Sequence, residues 1–419
     1  MPSYSTDTPF WNLRNLLAGA QMLFVAFGAL VLVPLLTGLD PSVALFSAGL
    51  GTLVFHSVTK NKVPVFLASS FAFIAPIQFS VQQWGVPATL SGLMAAGFAY
   101  VVLSQLVRIY GADFLQRLLP AIVVGPVIMV IGLALAPVAV NMAQGLSGDG
   151  SLTLFPYAQS MAVSMLALSV TLCLALFGRG LLRLTSILGG ILAGYLLALA
   201  FGMVDFSPLQ EASWFALPQF VAPEFHWQAI LFMLPVALAP AIEHLGDMVA
   251  IGQITGKNYI KKPGLHRTLL GDGLATSTAA AFGGPPNTTY SEVTGAVMLT
   301  RSFNPKIMLW AALVAITLAF VGKLGALLQT LPTPVMGGIM ILLFGSIALV
   351  GMNTLSRAKL DLTAPRNLCI ASLILVVGIG GLHLGQGQWS LQGVGLAAVI
   401  GILLNLLLPS APAPATEER

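Results

Sequence analysis

Residues 283–295 read G-G-P-P-N-T-T-Y-S-E-V-T-G, between runs that are otherwise strongly apolar. The stretch opens with Pro285 and Pro286, which lack backbone donors, and offers Thr289 and Ser291 ahead of a helical run. Short hydroxyl side chains before a helix read as N-caps. Two readings are open. In the first, proline simply kinks one long helix, as it commonly does in membranes. Alternatively, the helix is broken at membrane depth, with an extended segment leading into a half-helix whose unpaired N–H groups point into a cavity. A second stretch favours the break. V-P-V-F-L-A-S-S-F-A-F-I-A-P-I at 63–77 also opens with proline and places Ser69 and Ser70 before a helical run.

Working outward, the chain of 419 residues is 57% hydrophobic and only 8% charged. Soluble domains carry about 25% charged residues. A soluble protein this apolar could not cover its surface, so the chain reads as an all-α polytopic membrane protein. At roughly 20 residues per spanning helix, the length allows about fourteen spans. Apolar runs between polar breaks give 12–37, 41–58, 63–83, 86–107, 113–140, 155–177, 181–204, 226–252, 266–282, 285–300, 305–328, 332–353, 366–383 and 391–409. If the N-terminus is cytoplasmic, every Lys and Arg except Lys323 falls on the cytoplasmic side of this map. That agreement with the positive-inside rule supports both the count and the orientation, with both termini cytoplasmic.

The net charge of +4 therefore comes from loop residues that set orientation and does not mark a nucleic-acid surface. The opening M-P-S-Y-S-T-D-T-P-F-W-N-L-R-N-L-L lacks the pattern of a cleaved signal peptide. The closing S-A-P-A-P-A-T-E-E-R, from residue 410, reads as a disordered tail. Cys173 and Cys369 fall in apolar runs and read as small core residues, not a disulfide. No Cys/His pattern indicates a metal site, and no cofactor is expected.

The chain also repeats. L-L-P-A-I-V-V-G-P-V-I-M-V-I-G at 118–132 resembles L-P-T-P-V-M-G-G-I-M-I-L-L-F-G at 331–345. These fall in the fifth and twelfth runs. An odd offset of seven makes the second copy enter the membrane from the opposite side, which predicts two inverted repeats of seven spans. The two proline-broken runs, third and tenth, are partners under the same offset.

Four of the 14 acidic residues lie in the interior of these apolar runs: Glu243, Asp247, Asp272 and Glu292. A carboxylate in hydrocarbon is costly and persists where it meets a cavity, a proton or a polar ligand. Glu243 and Asp247 are four apart and share a helix face. Asp272 is flanked by Gly271 and Gly273, which allow close helix approach. Glu292 begins a half-helix, where the positive end favours an anion. Asp247 and Asp272 could equally act as interhelical glue. His244 points about 100° away from Glu243 and reads as structural. Phe71 and Phe73 read as core residues, although one could stack on a planar ligand.

Paired carboxylates that accept N–H bonds, half-helix N–H groups that donate to carbonyls, and an aromatic cover together suit a planar cyclic amide such as a pyrimidine or purine base. The set also suits a cation and fits an anion poorly, because no Lys or Arg lies near. Four acids could also serve an intramembrane enzyme, but a repeated architecture is not needed for catalysis, and a transporter is the stronger reading.

At these residues the chain resembles the nucleobase–ascorbate transporter family, also called nucleobase:cation symporter family 2. The motifs are F-G-A-L-V-L-V-P at 27–34, S-S-F-A-F-I at 69–74, W-F-A-L-P at 214–218, P-G-L-H-R at 263–267, P-N-T-T-Y at 286–290 and L-P-T-P-V-M-G-G at 331–338. The resemblance implies fourteen spans in two inverted repeats, with a core domain at 12–110 and 226–330 and a gate domain at 111–225 and 331–409. It also implies a bacterial inner-membrane nucleobase:proton symporter, most similar to uracil carriers, with homodimers formed through the gate.

Under this resemblance Glu243 and Glu292 bind the base through its N–H groups. The backbone around Phe71 and Ser291 receives its carbonyls, and Asp247 or Asp272 handles the proton. Departures are visible. The family signature's Asn is Val293, and a usual Gln-His is Gln21-Met22. Uracil carriers often have histidine at the position of Asp247, whereas xanthine and urate carriers have Asp there and at the position of Asp272. A xanthine or other purine carrier is therefore the alternative substrate reading.

Overall fold

Apolar runs punctuated by Gly, Pro and charged residues become helices almost wherever the sequence offers them. The computed structural model describes residues 12–111, 114, 117–385 and 391–409. The expected tail from residue 410 and the N-terminal stretch 1–11, read above as lacking a leader's pattern, lie outside the described residues.

The first helices are α1 (Leu13–Thr37) and α2 (Pro41–Thr59). Gly38, at φ 73°, ends α1, and the Asp40 carboxylate caps α2 by accepting from the amides of Ser42 and Val43 at 2.6 and 3.1 Å. Strand β1 (Leu67–Ser69) then leads through a 3-10 turn at Phe71–Phe73 into α3 (Ile74–Tyr110). The stretch Phe71–Tyr110 is 40 residues long. At 1.5 Å per residue that is about 60 Å, twice the hydrocarbon thickness. The chain resolves this at Gly85, whose φ of 82° and ψ of 172° divide α3 into two helices, as the two separate runs in the sequence require.

There follow α4 (Ala121–Ala134), α5 (Ala136–Ala143), α6 (Tyr157–Phe177), the single turn α7 (Leu181–Leu184), α8 (Ser186–Ala200) and the short α9 (Ser207–Glu211). Next come α10 (Trp227–Val236), α11 (Leu238–Thr255), α12 (Leu265–Ala281), strand β2 (Asn287–Thr289) and α13 (Ser291–Thr300). The chain closes with α14 (Pro305–Ala319), α15 (Gly322–Gln329), α16 (Thr333–Arg357), α17 (Pro365–Ile379), the strand pair β3 (His383–Leu384) and β4 (Leu391–Gln392), and α18 (Gly393–Leu407). Among the described residues six helical stretches are long and apolar enough to cross a membrane, and five further apolar helices are shorter. The protein is an integral multi-pass membrane protein.

Packing falls into two groups. In the first, α12 lies against α2 and α3, α14 against α1 and α2, and α10 against the second part of the 40-residue stretch. In the second, α16 lies against α4, α5 and α6, α6 against α8, and α17 against α4 and α18. The two stretches of repeated sequence are direct neighbours. A Cβ on Gly132 of α4 would meet the Phe344 carbonyl of α16 at 2.3 Å, so the helices touch backbone to backbone.

Two expectations are corrected here. The run 305–328 is not one helix. It stops at Ala319 because Phe320 and Gly322 exchange backbone hydrogen bonds with Ala216 and Trp214, at 3.1 and 3.0 Å, and these replace helical bonds. The cysteines are free and exposed, not core residues. A membrane helix is apolar on every side, so an apolar run does not separate a lipid-facing position from an interior one. Lys323, the exception to the charge pattern, donates to the Leu209 carbonyl at the end of α9 at 2.5 Å.

Candidate functional site

The two proline-broken stretches meet. β1 and β2 pair antiparallel, with Leu67 opposite Thr289, Ala68 opposite Thr288 and Ser69 opposite Asn287. Extended backbone within a membrane must find every partner inside the protein. Here β-pairing supplies part of that need and neighbouring helices supply the rest. Leu67 N donates to Thr52 Oγ1 at 3.0 Å, His56 Nε2 to the Val65 carbonyl at 2.9 Å, Thr276 Oγ1 to the Asn287 carbonyl at 2.8 Å, and Ser70 N to the Pro286 carbonyl at 2.9 Å. The broken-helix reading of 283–295 is therefore the observed one.

The hydroxyls expected to cap these helices do not cap them. Ser70 precedes the turn at Phe71 and makes no side-chain cap bond, and the residue before α13 is Tyr290, with φ −127° and ψ 114°. Ser291 is instead the first residue of α13. Tyrosine has no short oxygen that reaches back to the first amides. The initial N–H groups of both helices, which have no intrahelical carbonyl, are thus left without a side-chain cap. Several buried hydroxyls and amides beside them, on Ser69, Ser70, Asn287, Tyr290 and Thr294, also find no hydrogen-bond partner among the described residues. This is a cluster of unspent polar groups where two helices begin.

The acids surround this crossing. Glu243, His244 and Asp247 lie on α11, which starts afresh at the Ala237 joint after Pro235 interrupts α10. Glu292 lies in the first turn of α13. Asp272 is carried by α12, which sits close to its neighbours because of the flanking glycines. A Cβ on Gly273 would fall 2.6 Å from the Gly97 carbonyl, and one on Gly271 would fall 2.9 Å from the Phe55 ring.

Charge on Asp247 and on Glu292 both reach Glu243, and charge on Asp247 and Glu243 both reach Asp272, so the four carboxylates form one electrostatic group. Their exposure divides them. Glu292 faces open space and Glu243 is half-buried. Asp247 is 4% exposed and Asp272 is fully buried.

His244, read above as structural, has partners that helical spacing does not report. It is fully buried, its Nδ1 lies 3.5 Å from Asp272 Oδ2 and 3.3 Å from Thr289 Oγ1, and the Phe55 ring packs edge-on against it. The same turn of α11 thus faces the open side through Glu243 and the buried side through His244. Tyr290 was also missed. Its ring lies 6.0 Å from that of Phe71. One aromatic side chain therefore stands at the start of each broken helix, and Phe73 points away into a separate apolar cluster. Among the described residues no group of three His, Cys, Asp or Glu side chains could hold a metal ion.

A family model described as Permease family matches residues 13–386. The chain belongs to the nucleobase–ascorbate transporter family. It is a transporter and not an enzyme. Among curated relatives, a probable uracil permease of Haemophilus influenzae is 56% identical over 400 residues, covering 96% of this chain and 95% of that one. The uracil permease of Bacillus caldolyticus is 45% identical over 399 residues, covering 94% of this transporter and 91% of its own length. Among solved structures, the transmembrane domain of a cyanobacterial bicarbonate transporter, BicA, aligns with a TM-score of 0.67 at 15% identity, covering 95% of this chain and 98% of that one. That last likeness concerns the fold alone.

Proposed function

We propose that the transporter imports a nucleobase, uracil, by alternating access coupled to protons. The observation that carries the reading is Glu292 in the first turn of α13, an uncapped helix start, with Glu243 on α11, which packs against α13. Carboxylates accept the N–H groups of an imide ring, and the free backbone N–H groups around Phe71 and Ser291 donate to its carbonyls. Phe71 and Tyr290 offer faces to a flat ligand. The names of the close relatives support uracil among the bases. Asp247 and Asp272, withdrawn from water beside the ligand acids, carry the coupled proton in this reading.

Fourteen spans in two inverted repeats fit the antiparallel β1–β2 pair, whose strands have local two-fold symmetry, and the contact between the repeated helices. The two packing groups support a reading with a core at 12–110 and 226–330 and a gate at 111–225 and 331–409. The core would move against the gate, and dimers would form through the gate. Both termini would be cytoplasmic, in the inner membrane.

The purified protein should be stabilised against heat by uracil more than by other bases, since a ligand stabilises the state it binds. The second reading, a xanthine or other purine carrier, is favoured by the two aspartates at 247 and 272. Stabilisation by xanthine but not uracil would replace the first reading with the second. Stabilisation by neither would sink both.

A further inference from the structure

Away from the acids, three connections converge on one face: α2 to β1, α11 to α12, and α13 to α14. Where they meet lies a cavity of about 790 Å³ lined by Lys62, Lys257, Lys261, Lys262 and Lys306. Among the described residues no acidic side chain lines it. No ion pair among the described residues involves Lys62, Lys257, Lys261 or Lys262, and all four are exposed. Asn304 and Pro305 also line the cavity, and they are the N-cap and first residue of the 15-residue helix α14. The positive end of a helix dipole adds to the lysine charge there.

Loop lysines that only set orientation need not converge. Five that share one concave site repel each other, and the cavity concentrates their field. Such a site selects an anion with several oxygens. Lysine ammonium groups bind phosphate as point charges, without the planar fork that carboxylate pairing by arginine uses.

We propose that this cavity binds a phosphate-bearing anion and thereby ties together the three connections that flank the two broken helices. Lys62 is close in sequence to β1, and Asn304 follows α13, so a ligand here would brace the substrate-bearing half from outside it. The phosphate could belong to a lipid headgroup, since basic pockets between membrane helices commonly take one, or to a soluble metabolite. This inference does not depend on which base is carried.

The test uses the full-length protein purified in a neutral detergent. Thermal stability would be followed with inorganic pyrophosphate, and separately with phosphatidylglycerol against phosphatidylcholine added to the micelles. A stabilising shift with at least one phosphate probe is expected, and it should shrink as sodium chloride is raised. A shift with phosphatidylglycerol alone assigns the site to lipid, and one with pyrophosphate alone assigns it to a soluble anion. The double variant Lys261→Gln/Lys262→Gln should lose most of the shift, while stabilisation by nucleobase persists and reports an intact fold. Lys261→Arg/Lys262→Arg, which keeps the charge, should retain the shift. No response to either probe, or an equal response in the glutamine variant, overturns the proposal.

Discussion

His244 and Asp272 meet at 3.5 Å, and neither has any solvent exposure. They come from different helices, and the contact exists because glycines on both sides of Asp272 let α12 settle against α2 and α3. A carboxyl and an imidazole isolated in this way form a pair that can hold one proton between them. Asp272→Asn keeps the volume and the fold but removes the acid. Uptake by this variant should no longer rise when the outside medium is acidified, while its stabilisation by uracil stays near that of the parent. Uptake that still follows external pH would remove Asp272 from proton handling and leave Asp247 as the carrier.

The open-facing acids have a different expected phenotype. Glu292→Ala removes a hydrogen-bond acceptor and leaves its donor on the ligand unpaired, which costs about 1–3 kcal/mol. Affinity for uracil should therefore fall by about 10- to 100-fold. Titration calorimetry, or the uracil concentration that gives half the thermal shift, measures this directly. An unchanged affinity would sink the role given to Glu292.

Backbone support for the crossing can be tested without touching an acid. Thr52→Val leaves the Leu67 N–H, now satisfied at 3.0 Å, without its acceptor in the interior. An orphaned buried donor costs about 1–3 kcal/mol. Thermal stability should drop and uracil affinity should weaken with it, because β1 positions the first helix start. A Thr52→Ser control, which keeps the hydroxyl, should behave like the parent.

Close helix approach gives a contrast between two glycines. A Cβ at Gly97 would lie 2.4 Å from Ser277 Oγ and 2.7 Å from the Gly273 carbonyl, whereas one at Gly345 meets nothing within 4 Å. Overpacking costs about 1–3 kcal/mol. Gly97→Ala should lower the melting temperature, and Gly345→Ala should leave it unchanged or raise it slightly. Because Gly97 abuts the helix of Asp272, its variant should also disturb the pH response.

Much of this arrangement was legible from residue types. Pro285, Pro286 and Pro64 in apolar runs announced extended backbone, and acids at 243, 247, 272 and 292 announced a polar interior. What stayed hidden depends on contacts far apart in the chain. The break after Ala319 is fixed by residues 214–216, about a hundred positions earlier, and nothing local at Phe320 signals it. The partnership of His244 depends on how deeply α12 sinks between its neighbours, which helical spacing does not report. Ser291 reads as a cap by type, yet α13 begins one residue earlier, at Ser291 itself, and puts Tyr290 at the boundary. The sides of Cys173 and Cys369 could not be read, because an all-round apolar helix has no polar face to orient it.

The pairing of β1 with β2 also has a consequence for how the chain is made. Ser69 ends the first strand and Asn287 begins the second, a gap of 287 − 69 = 218 positions. At about 5–20 residues per second, a ribosome needs roughly 10–45 s to span that gap. Throughout that interval the first extended segment is already synthesised, with its ladder partner not yet in existence. Assembly of the transporter is therefore a late event. The first half must wait in the bilayer, unfinished, until the second half arrives to complete it.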